Sequence, residues 1–324
     1  MSPLFDTSQP LTASRTLALY QRYYNANGPD LPAGTASDMR FVPHLSQALD
    51  GLSGLILDSY GVIGLGSAPI AGILDLFDAA KARNMPVVIL TNGASQPAAR
   101  REKGYQDWGL PIIADDIVSS RDATHQFVRQ IKQDNPKARF SYLGRHVMPF
   151  EDVPGALYGA EFDEKNWAEA DYFIFLGAVG WEADDQNHLE AALAQSPHAK
   201  LIIGNPDVSA PVDGSFTFEP GFWGMKANEA VGTELIMAGK PFAPAYQLAY
   251  EALQKKAEKQ GIGQPLDKAR IGMVGDSLHT DILGAKSFGL HAILLSSYGL
   301  MAGRDIDEEA RASQIYPDMV AQLL

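Results

Sequence analysis

The chain has 324 residues, enough for about two domains. Its 26 Lys and Arg against 39 Asp and Glu give a net charge of −13, with a pI near 4.9. This balance argues against a nucleic-acid partner or a polybasic membrane anchor, because both require a basic surface. The absence of Cys excludes disulfides, thiolate zinc sites and a Cys nucleophile.

Residues 1–50 are polar, and we expect them to form a helical N-terminal extension with a helix near residues 14–24. This stretch lacks a basic start followed by an apolar run, so we expect no signal peptide. Apolar stretches along the chain reach about five to eight residues, well short of the roughly 20 needed to cross a bilayer. The sequence therefore predicts a cytoplasmic protein without a membrane partner.

From Leu52 onward, short apolar runs rich in Val and Ile end in Gly, Asn, Asp or Ser. Such runs are typical of strands that are buried on both faces of a parallel sheet. They cover residues 52–58, 85–92, 171–177, 199–205, 269–276 and 291–297. Helix-like stretches lie between them, at 70–84, 185–195, 243–260 and 281–288. This alternation predicts an α/β fold with a doubly wound parallel sheet.

Polar residues stand directly after several of these predicted strands. Asp58 follows one apolar run, Thr91-Asn92 another, and Asp276 a third. An Asp in this position can simply cap the next helix. However, the carboxyl ends of the strands line the ligand crevice of an open α/β sheet. Three strands that end in this way therefore favour a functional site at that edge.

Four motifs in order along the chain resemble those of the haloacid dehalogenase superfamily, in particular its capped subfamily IIA, the NagD-like hydrolases. The motifs are residues 58–63 (DSYGVI), 90–95 (LTNGAS), 239–241 (GKP) and 274–282 (VGDSLHTDI). Asn205-Pro206-Asp207 resembles a recurrent piece of the cap in that subfamily. The match covers roughly residues 50–300. It implies a Rossmann-like core that carries an inserted α/β cap domain.

The segment between the second and third motifs is too long for a simple crossover. It contains predicted strands of its own, at 139–143, 171–177 and 199–205. We therefore expect residues 51–121 and 237–324 to form the core domain, and residues 122–236 to form the cap. In the family that this chain resembles, the cap covers the site and selects the substrate. Asn205 and Asp207 are weak candidates for substrate contacts, and turn roles are equally open for both.

The resemblance implies phosphoryl transfer to a carboxylate nucleophile, here Asp58. Lys240 would neutralise the phosphate, and Thr91, Asn92 and Gly93 would hold its oxygens. Oxygen ligands suit Mg²⁺, and the residues implied to hold it are Asp58, Tyr60 through its main chain, Asp276 and Asp281. Lys226 is a rival for the cationic role, but only Lys240 stands between Gly and Pro.

The chain departs from the family pattern at Tyr60. The family carries there a second Asp that protonates the leaving alcohol and then activates water. Tyrosine, with a pKa near 10, is a poor base at pH 7, so this catalytic help, worth roughly 10²–10⁴ in rate, is in doubt.

The sequence thus predicts a Mg²⁺-dependent phosphatase that hydrolyses a small phosphorylated metabolite, such as a sugar phosphate, through an aspartyl-phosphate. Because of Tyr60, two alternatives stay open: a protein that binds phosphate esters for regulation, and a phosphotransferase with weak hydrolysis. The substrate, the oligomeric state (a homo-oligomer included) and the role of residues 1–50 are left undetermined.

Overall fold

The structure is a computed structural model that describes residues 3–30, 33–157, 167–212 and 215–324. Its large sheet has seven strands, and every neighbouring pair is parallel. In spatial order the strands are Arg40–His44, Met319–Leu323, His291–Leu295, Ile271–Gly275, Gly54–Leu57, Val87–Thr91 and Ile117–Ser119. The predicted α/β fold with a doubly wound parallel sheet is confirmed.

The central strands of the large sheet are apolar because helices cover both of their faces. Every residue of Gly54–Leu57, Val87–Thr91 and Ile271–Gly275 is buried. These strands are neighbours, with Gly54–Leu57 in the middle. Consequently, the polar residues that follow them in the sequence emerge side by side at one edge of the sheet.

A second parallel sheet of five strands is built only from residues between 140 and 237. In spatial order its strands are Leu235–Met237, Lys200–Ile203, Tyr172–Phe175, Phe140–Leu143 and Ala156–Leu157. Two short antiparallel ribbons complete the strands, Gly64–Leu65 with Ala68–Pro69 and Pro211–Val212 with Ser215–Phe216.

The helices of the described residues alternate with these strands. The α-helices are Ala13–Asn27, Ile73–Ala82, Ala98–Asp107, Ser120–Asp134, Ala183–Gln195, Pro220–Val231, Ala243–Lys259, Leu283–Phe288 and Ile306–Ser313. A π-helical turn, Leu278–Ile282, precedes Leu283–Phe288. Within the parts of the chain that the structure describes, no helix has the length and apolar character to span a bilayer.

The strand Arg40–His44 corrects the prediction that residues 1–50 form a helical extension. It pairs in parallel with Met319–Leu323 and is an edge of the large sheet. Its residues are exposed or half-buried, and it contains Pro43. An edge strand of this kind lacks the continuous apolar run of a central strand, and an edge is one of the few places in a sheet where proline is tolerated. Residues 1–50 therefore combine the helix Ala13–Asn27 with a strand of the large sheet.

Candidate active site

Asp58 lies at the centre of the site because its strand, Gly54–Leu57, lies between the two strands that precede Asn92 and Asp276. Its backbone N–H donates to the carbonyl of Val274 at 2.8 Å, which continues the sheet by one residue. Its side chain is buried and its Oδ1 accepts a 2.7 Å hydrogen bond from the N–H of Ser59. The carboxylate is thus held at the edge of the sheet by its own strand.

Lys240 is the cation of the site. Its side chain is buried, and its Nζ lies 2.6 Å from Oδ1 of Asp58 and 2.6 Å from Oδ1 of Asp281. Burial acts to lower the pKa of Lys240, but the carboxylates of Asp281 and Asp58 outweigh it and raise that pKa above its usual range. The rival Lys226 pairs instead with Glu190 at 3.0 Å, away from this cluster.

Three buried carboxylates, those of Asp58, Asp276 and Asp281, each bring an oxygen within 4.8 Å of the others. Burial raises the pKa of Asp58 to about 7; the Lys240 charge opposes this rise and Asp281 adds to it. Burial, with repulsion from Asp281 and Asp58, also raises the pKa of Asp276. One lysine therefore compensates this negative charge only in part.

The donor atoms of this cluster fit a small, hard divalent cation. Oδ2 of Asp276 accepts from the N–H of Leu300 at 3.1 Å, and both oxygens of Asp281 accept, from Lys240 and from the N–H of Ser277. Among the described residues, Oδ2 of Asp58 and Oδ1 of Asp276 receive no hydrogen bond. Free carboxylate oxygens in a buried, negatively charged cluster are the ligands that Mg²⁺ prefers.

Two glycines with positive φ allow the chain to fold closely around Asp276. Gly61 has φ +82° and Gly299 has φ +65°. A Cβ on Gly61 would lie 2.3 Å from Oδ2 of Asp276, and one on Gly299 would lie 1.5 Å from it. Only glycine fits both requirements, the left-handed backbone and the close approach.

Thr91 ends the neighbouring strand Val87–Thr91, and Asn92 and Gly93 follow it. The Thr91 hydroxyl accepts from the N–H of Gly93 at 3.2 Å. Oδ1 of Asn92 accepts from the Lys240 N–H at 2.7 Å, and its Nδ2 donates to the Lys240 carbonyl at 3.1 Å. Nδ2 of Asn92 also donates to Oδ1 of Asp207 at 2.8 Å. Asn92 thus links the large sheet to the segment that carries Asp207.

Asp207 lies with Asp58 and Tyr60 in the wall of one small cavity. Burial raises the pKa of Asp207 to about 6, while Lys240 and the hydrogen bond from Asn92 act to lower it. Asn205 lies further back, where its Oδ1 accepts from the Asp207 N–H at 3.0 Å and its Nδ2 donates to Oε2 of Glu219 at 3.2 Å. The structure therefore places Asp207 at the site and Asn205 behind it.

Comparisons with known protein families cover both segments of the chain that contribute residues to the site. A family of haloacid dehalogenase-like hydrolases matches residues 55–148, and a second model, described as HAD-hydrolase-like, matches residues 237–323. Together these regions make up more than half of the chain and contain Asp58, Thr91, Lys240, Asp276 and Asp281. The chain belongs to the haloacid dehalogenase superfamily of hydrolases.

Relatives within the superfamily agree with this assignment. Ribonucleotide monophosphatase NagD of Escherichia coli K12 is 27% identical over 272 residues, which cover 83% of this chain and 97% of the relative. An acid sugar phosphatase of Staphylococcus epidermidis is 24% identical over 254 residues, or 78% of this chain and 90% of the relative.

Among solved structures, a possible sugar phosphatase of Cytophaga hutchinsonii superposes with a TM-score of 0.73 at 25% identity. The aligned region covers 88% of this chain and 98% of the chain of that structure. The similarity to the capped, NagD-like members of the superfamily thus extends over most of the fold.

Two residues of this haloacid dehalogenase site were not found from the sequence. Ser277 is buried and lines the cavity, and its Oγ has no hydrogen-bond partner within the described chain. Its position directly after Asp276 was the available signal. Tyr20, from the N-terminal helix Ala13–Asn27, lines the same cavity. Nothing in its local sequence points to the site, because it reaches the site only through tertiary packing.

Proposed function

We propose that the chain is a Mg²⁺-dependent phosphatase that hydrolyses a small phosphorylated metabolite, such as a sugar phosphate, with Asp58 as the nucleophile. The observation that carries this proposal is the position of the Lys240 ammonium, 2.6 Å from both Asp58 and Asp281, which form a carboxylate cluster with Asp276. The names of the relatives, an acid sugar phosphatase and a ribonucleotide monophosphatase, support a phosphorylated substrate.

The residues around Asp58 would share the work of phosphoryl transfer. The Asp58 carboxylate would attack phosphorus, which breaks the bond to the alcohol oxygen and leaves an acyl phosphate on Asp58. Water would then hydrolyse this acyl phosphate and release inorganic phosphate. A carboxylate that approaches a phosphate is repelled, and Lys240 offsets that repulsion. The Thr91 hydroxyl and the neighbouring amides, including that of Gly93, would hold the transferring oxygens.

The proposed magnesium ligands are Asp58, Asp276 and the main-chain oxygen of Tyr60, with Asp281 completing the site. When bound, the cation would supply the positive charge that offsets the phosphate and carboxylate charges. It would also favour the ionised form of Asp58, whose pKa lies at about 7 without it. Asp281 would mainly hold Lys240 and the preceding turn at Ser277, since both of its oxygens already accept hydrogen bonds.

The division of the chain supports a cap role for the second sheet. We assign the core to residues 51–121 and 238–324, extended by the strand Arg40–His44, and the cap to residues 122–237. This cap ends one residue later than the sequence predicts, because Met237 pairs with Ile203 in the second sheet. The loop Pro206–Pro211 of this cap carries Asp207 into the cavity that contains Asp58. Substrates would therefore meet residues of both parts.

Asp207 is the carboxyl group that we assign to proton transfer in place of the family's second Asp. It lines the cavity with Asp58, and its pKa of about 6 is close to the range in which acid and base catalysis is efficient near neutral pH. Tyr60 occupies the usual position, but its hydroxyl donates to the Pro211 carbonyl at 2.5 Å. Tyr60 is thus committed to a structural contact.

A panel of phosphate monoesters, assayed with Mg²⁺ and with EDTA, tests the function. We expect turnover that requires the metal and disappears in Asp58→Asn, which keeps the shape of the side chain but removes its charge. Activity in EDTA, or near-wild-type turnover by Asp58→Asn, would contradict the proposal. Binding of phosphate esters without turnover would favour the regulatory alternative, and a long-lived phosphoenzyme would favour the phosphotransferase.

The role of Asp207 is tested by comparing two leaving groups. An alkyl phosphate needs a proton on its departing oxygen, whereas the small acetate group of acetyl phosphate departs as a stable anion. We expect Asp207→Asn to lower kcat for the alkyl ester by roughly 10²–10⁴ and to affect acetyl phosphate much less. Equal losses with both substrates would show a structural role instead.

A further inference from the structure

The N-terminal helix Ala13–Asn27 contacts the cap loop Pro206–Pro211 along one face. Thr16, Tyr20 and Tyr24 are spaced four residues apart, so they project from the same side of the helix. The hydroxyl groups of Thr16 and Ser209 lie 3.1 Å apart, and the Val208 N–H donates to the Tyr20 hydroxyl at 3.0 Å. The Tyr24 hydroxyl donates to the Pro206 carbonyl at 3.1 Å.

The same helix also contacts the turn that carries Asp276 and Asp281. The ring of Tyr20 stacks on the His279 imidazole, with centroids 5.5 Å apart and an interplanar angle of 9°. Gln21 Oε1 and His279 Nε2 lie 3.2 Å apart. Tyr20 also stacks on Tyr24, again with centroids 5.5 Å apart. The Tyr20 ring is therefore held by two stacking contacts, and its hydroxyl is held by the hydrogen bond from the cap loop.

Tyr20 forms part of the wall of the cavity that contains the proposed nucleophile. The cavity measures about 40 Å³, and its wall includes Tyr20, Asp58, Tyr60, Asp207, Pro211 and Asp276. Since one water needs roughly 10–15 Å³ of cavity volume, this cavity suits a phosphoryl group and leaves little space for the rest of a substrate. The wall that an attached alcohol would meet includes Tyr20, Tyr60 and the cap loop.

We propose that Tyr20 is a specificity-determining residue that restricts the site to phosphate monoesters of small aliphatic alcohols. This inference rests on the proposed phosphatase function. The ring cannot swing aside without losing the stacking on Tyr24 and His279 and the hydrogen bond from Val208. A bulky aromatic or nucleoside leaving group therefore meets a fixed wall, whereas a short alcohol needs only a small displacement of the cap loop.

The test compares a small substrate, ethyl phosphate, with a bulky one, 1-naphthyl phosphate, in variants at position 20. We expect Tyr20→Ala to raise the bulky-to-small ratio of kcat/KM by roughly 10- to 200-fold, the range that a hydrophobic pocket wall can supply. Tyr20→Leu, which keeps more of the packing, should shift the ratio in the same direction. Tyr20→Phe keeps the ring and should leave the ratio near its wild-type value.

Tyr23→Ala is the matched control, because Tyr23 is on the same helix, packs edge-on against Tyr24 and does not line the cavity. It should leave the ratio unchanged. An unchanged ratio in folded Tyr20→Ala and Tyr20→Leu, or an equal change in Tyr23→Ala, would overturn the proposal. Calorimetric binding of methylphosphonate and benzylphosphonate should follow the same order of size. Wild-type protein that neither cleaves these esters nor binds these phosphonates would contradict the proposed function itself, and this inference with it.

Discussion

The hydroxyl of Tyr60 donates a 2.5 Å hydrogen bond to the carbonyl of Pro211, which joins the segment of Asp58, the proposed nucleophile, to the cap loop. Tyr20 and Tyr24 hold the same loop from the N-terminal helix, at Val208 and Pro206. Three tyrosine hydroxyls thus bind one six-residue loop over the site. Tyr60, which stands where the family has its acid/base carboxylate, is therefore part of the contact between core and cap.

Removal of the Tyr60 hydroxyl should loosen the loop. Tyr60→Phe leaves the Pro211 carbonyl without this donor, and we expect a loss of about 1 kcal/mol in the free energy of unfolding. Amide hydrogen exchange over residues 207–212 should become faster. Tyr250→Phe is the control, since it removes a hydroxyl that donates to the Leu266 carbonyl at 3.1 Å, outside the loop. Equal exchange in the loop of both variants would contradict the assignment.

Ionisation of Asp207 should lower the stability of the fold as the pH rises. Its pKa is about 6 in the folded chain, above the ordinary value of 3.8, so between these values the folded state keeps a proton that the unfolded state has lost. From pH 4 to pH 7 the wild type should therefore lose stability relative to Asp207→Asn. Because the side chain is partly exposed, we expect on the order of 1–2 kcal/mol. Urea unfolding at both pH values measures the difference in the free energy of unfolding between the two proteins. A difference that is the same at pH 4 and pH 7 would contradict the raised pKa of Asp207.

The predictable part of the molecule is the part that is determined locally. The apolar runs before Asp58, Thr91 and Asp276 became adjacent buried strands, and their polar ends met at one edge of the sheet. Lys240 was distinguished from Lys226 by its neighbours in the sequence, and it does contact Asp58.

The parts that could not be predicted depend on contacts between distant segments. Tyr20 meets Val208 across 188 positions and Tyr60 meets Pro211 across 151. The edge strand Arg40–His44 pairs with Met319–Leu323, more than 270 residues later in the chain. Neither the periodicity of the N-terminal helix nor the polar character of residues 40–44 contains that information.

Substitution of Gly299 should displace Asp276. Gly299→Ala places a methyl group 1.5 Å from Oδ2 of Asp276 and also strains a backbone with positive φ. Gly303→Ala carries the backbone strain alone, roughly 1–2 kcal/mol, because its Cβ would point into open space at φ +73°. We expect only Gly299→Ala to weaken Mg²⁺ binding, as measured by calorimetry. Similar Mg²⁺ affinities in the two variants would contradict the assignment of Asp276 as a metal ligand.

Removal of the buried cation should destabilise the fold in a way that Mg²⁺ reverses. Lys240→Met leaves Asp58 and Asp281 without their partner, which we expect to cost about 3–5 kcal/mol. A divalent cation at the same carboxylates should restore part of this loss. Lys226→Met breaks a comparably buried pair with Glu190, and Mg²⁺ should not restore it. Equal rescue of both variants in urea unfolding would point to a nonspecific salt effect.

The central claim is that Asp58 becomes phosphorylated, and acid quenching during turnover tests it most directly. The protein is mixed with substrate and Mg²⁺, quenched in acid, and its peptides are mapped by mass spectrometry with borohydride reduction of the acyl phosphate. We predict one phosphoryl group on the peptide that contains Asp58, conversion of that residue to homoserine, and neither product in Asp58→Asn. An active enzyme that carries phosphate on another residue would contradict the account.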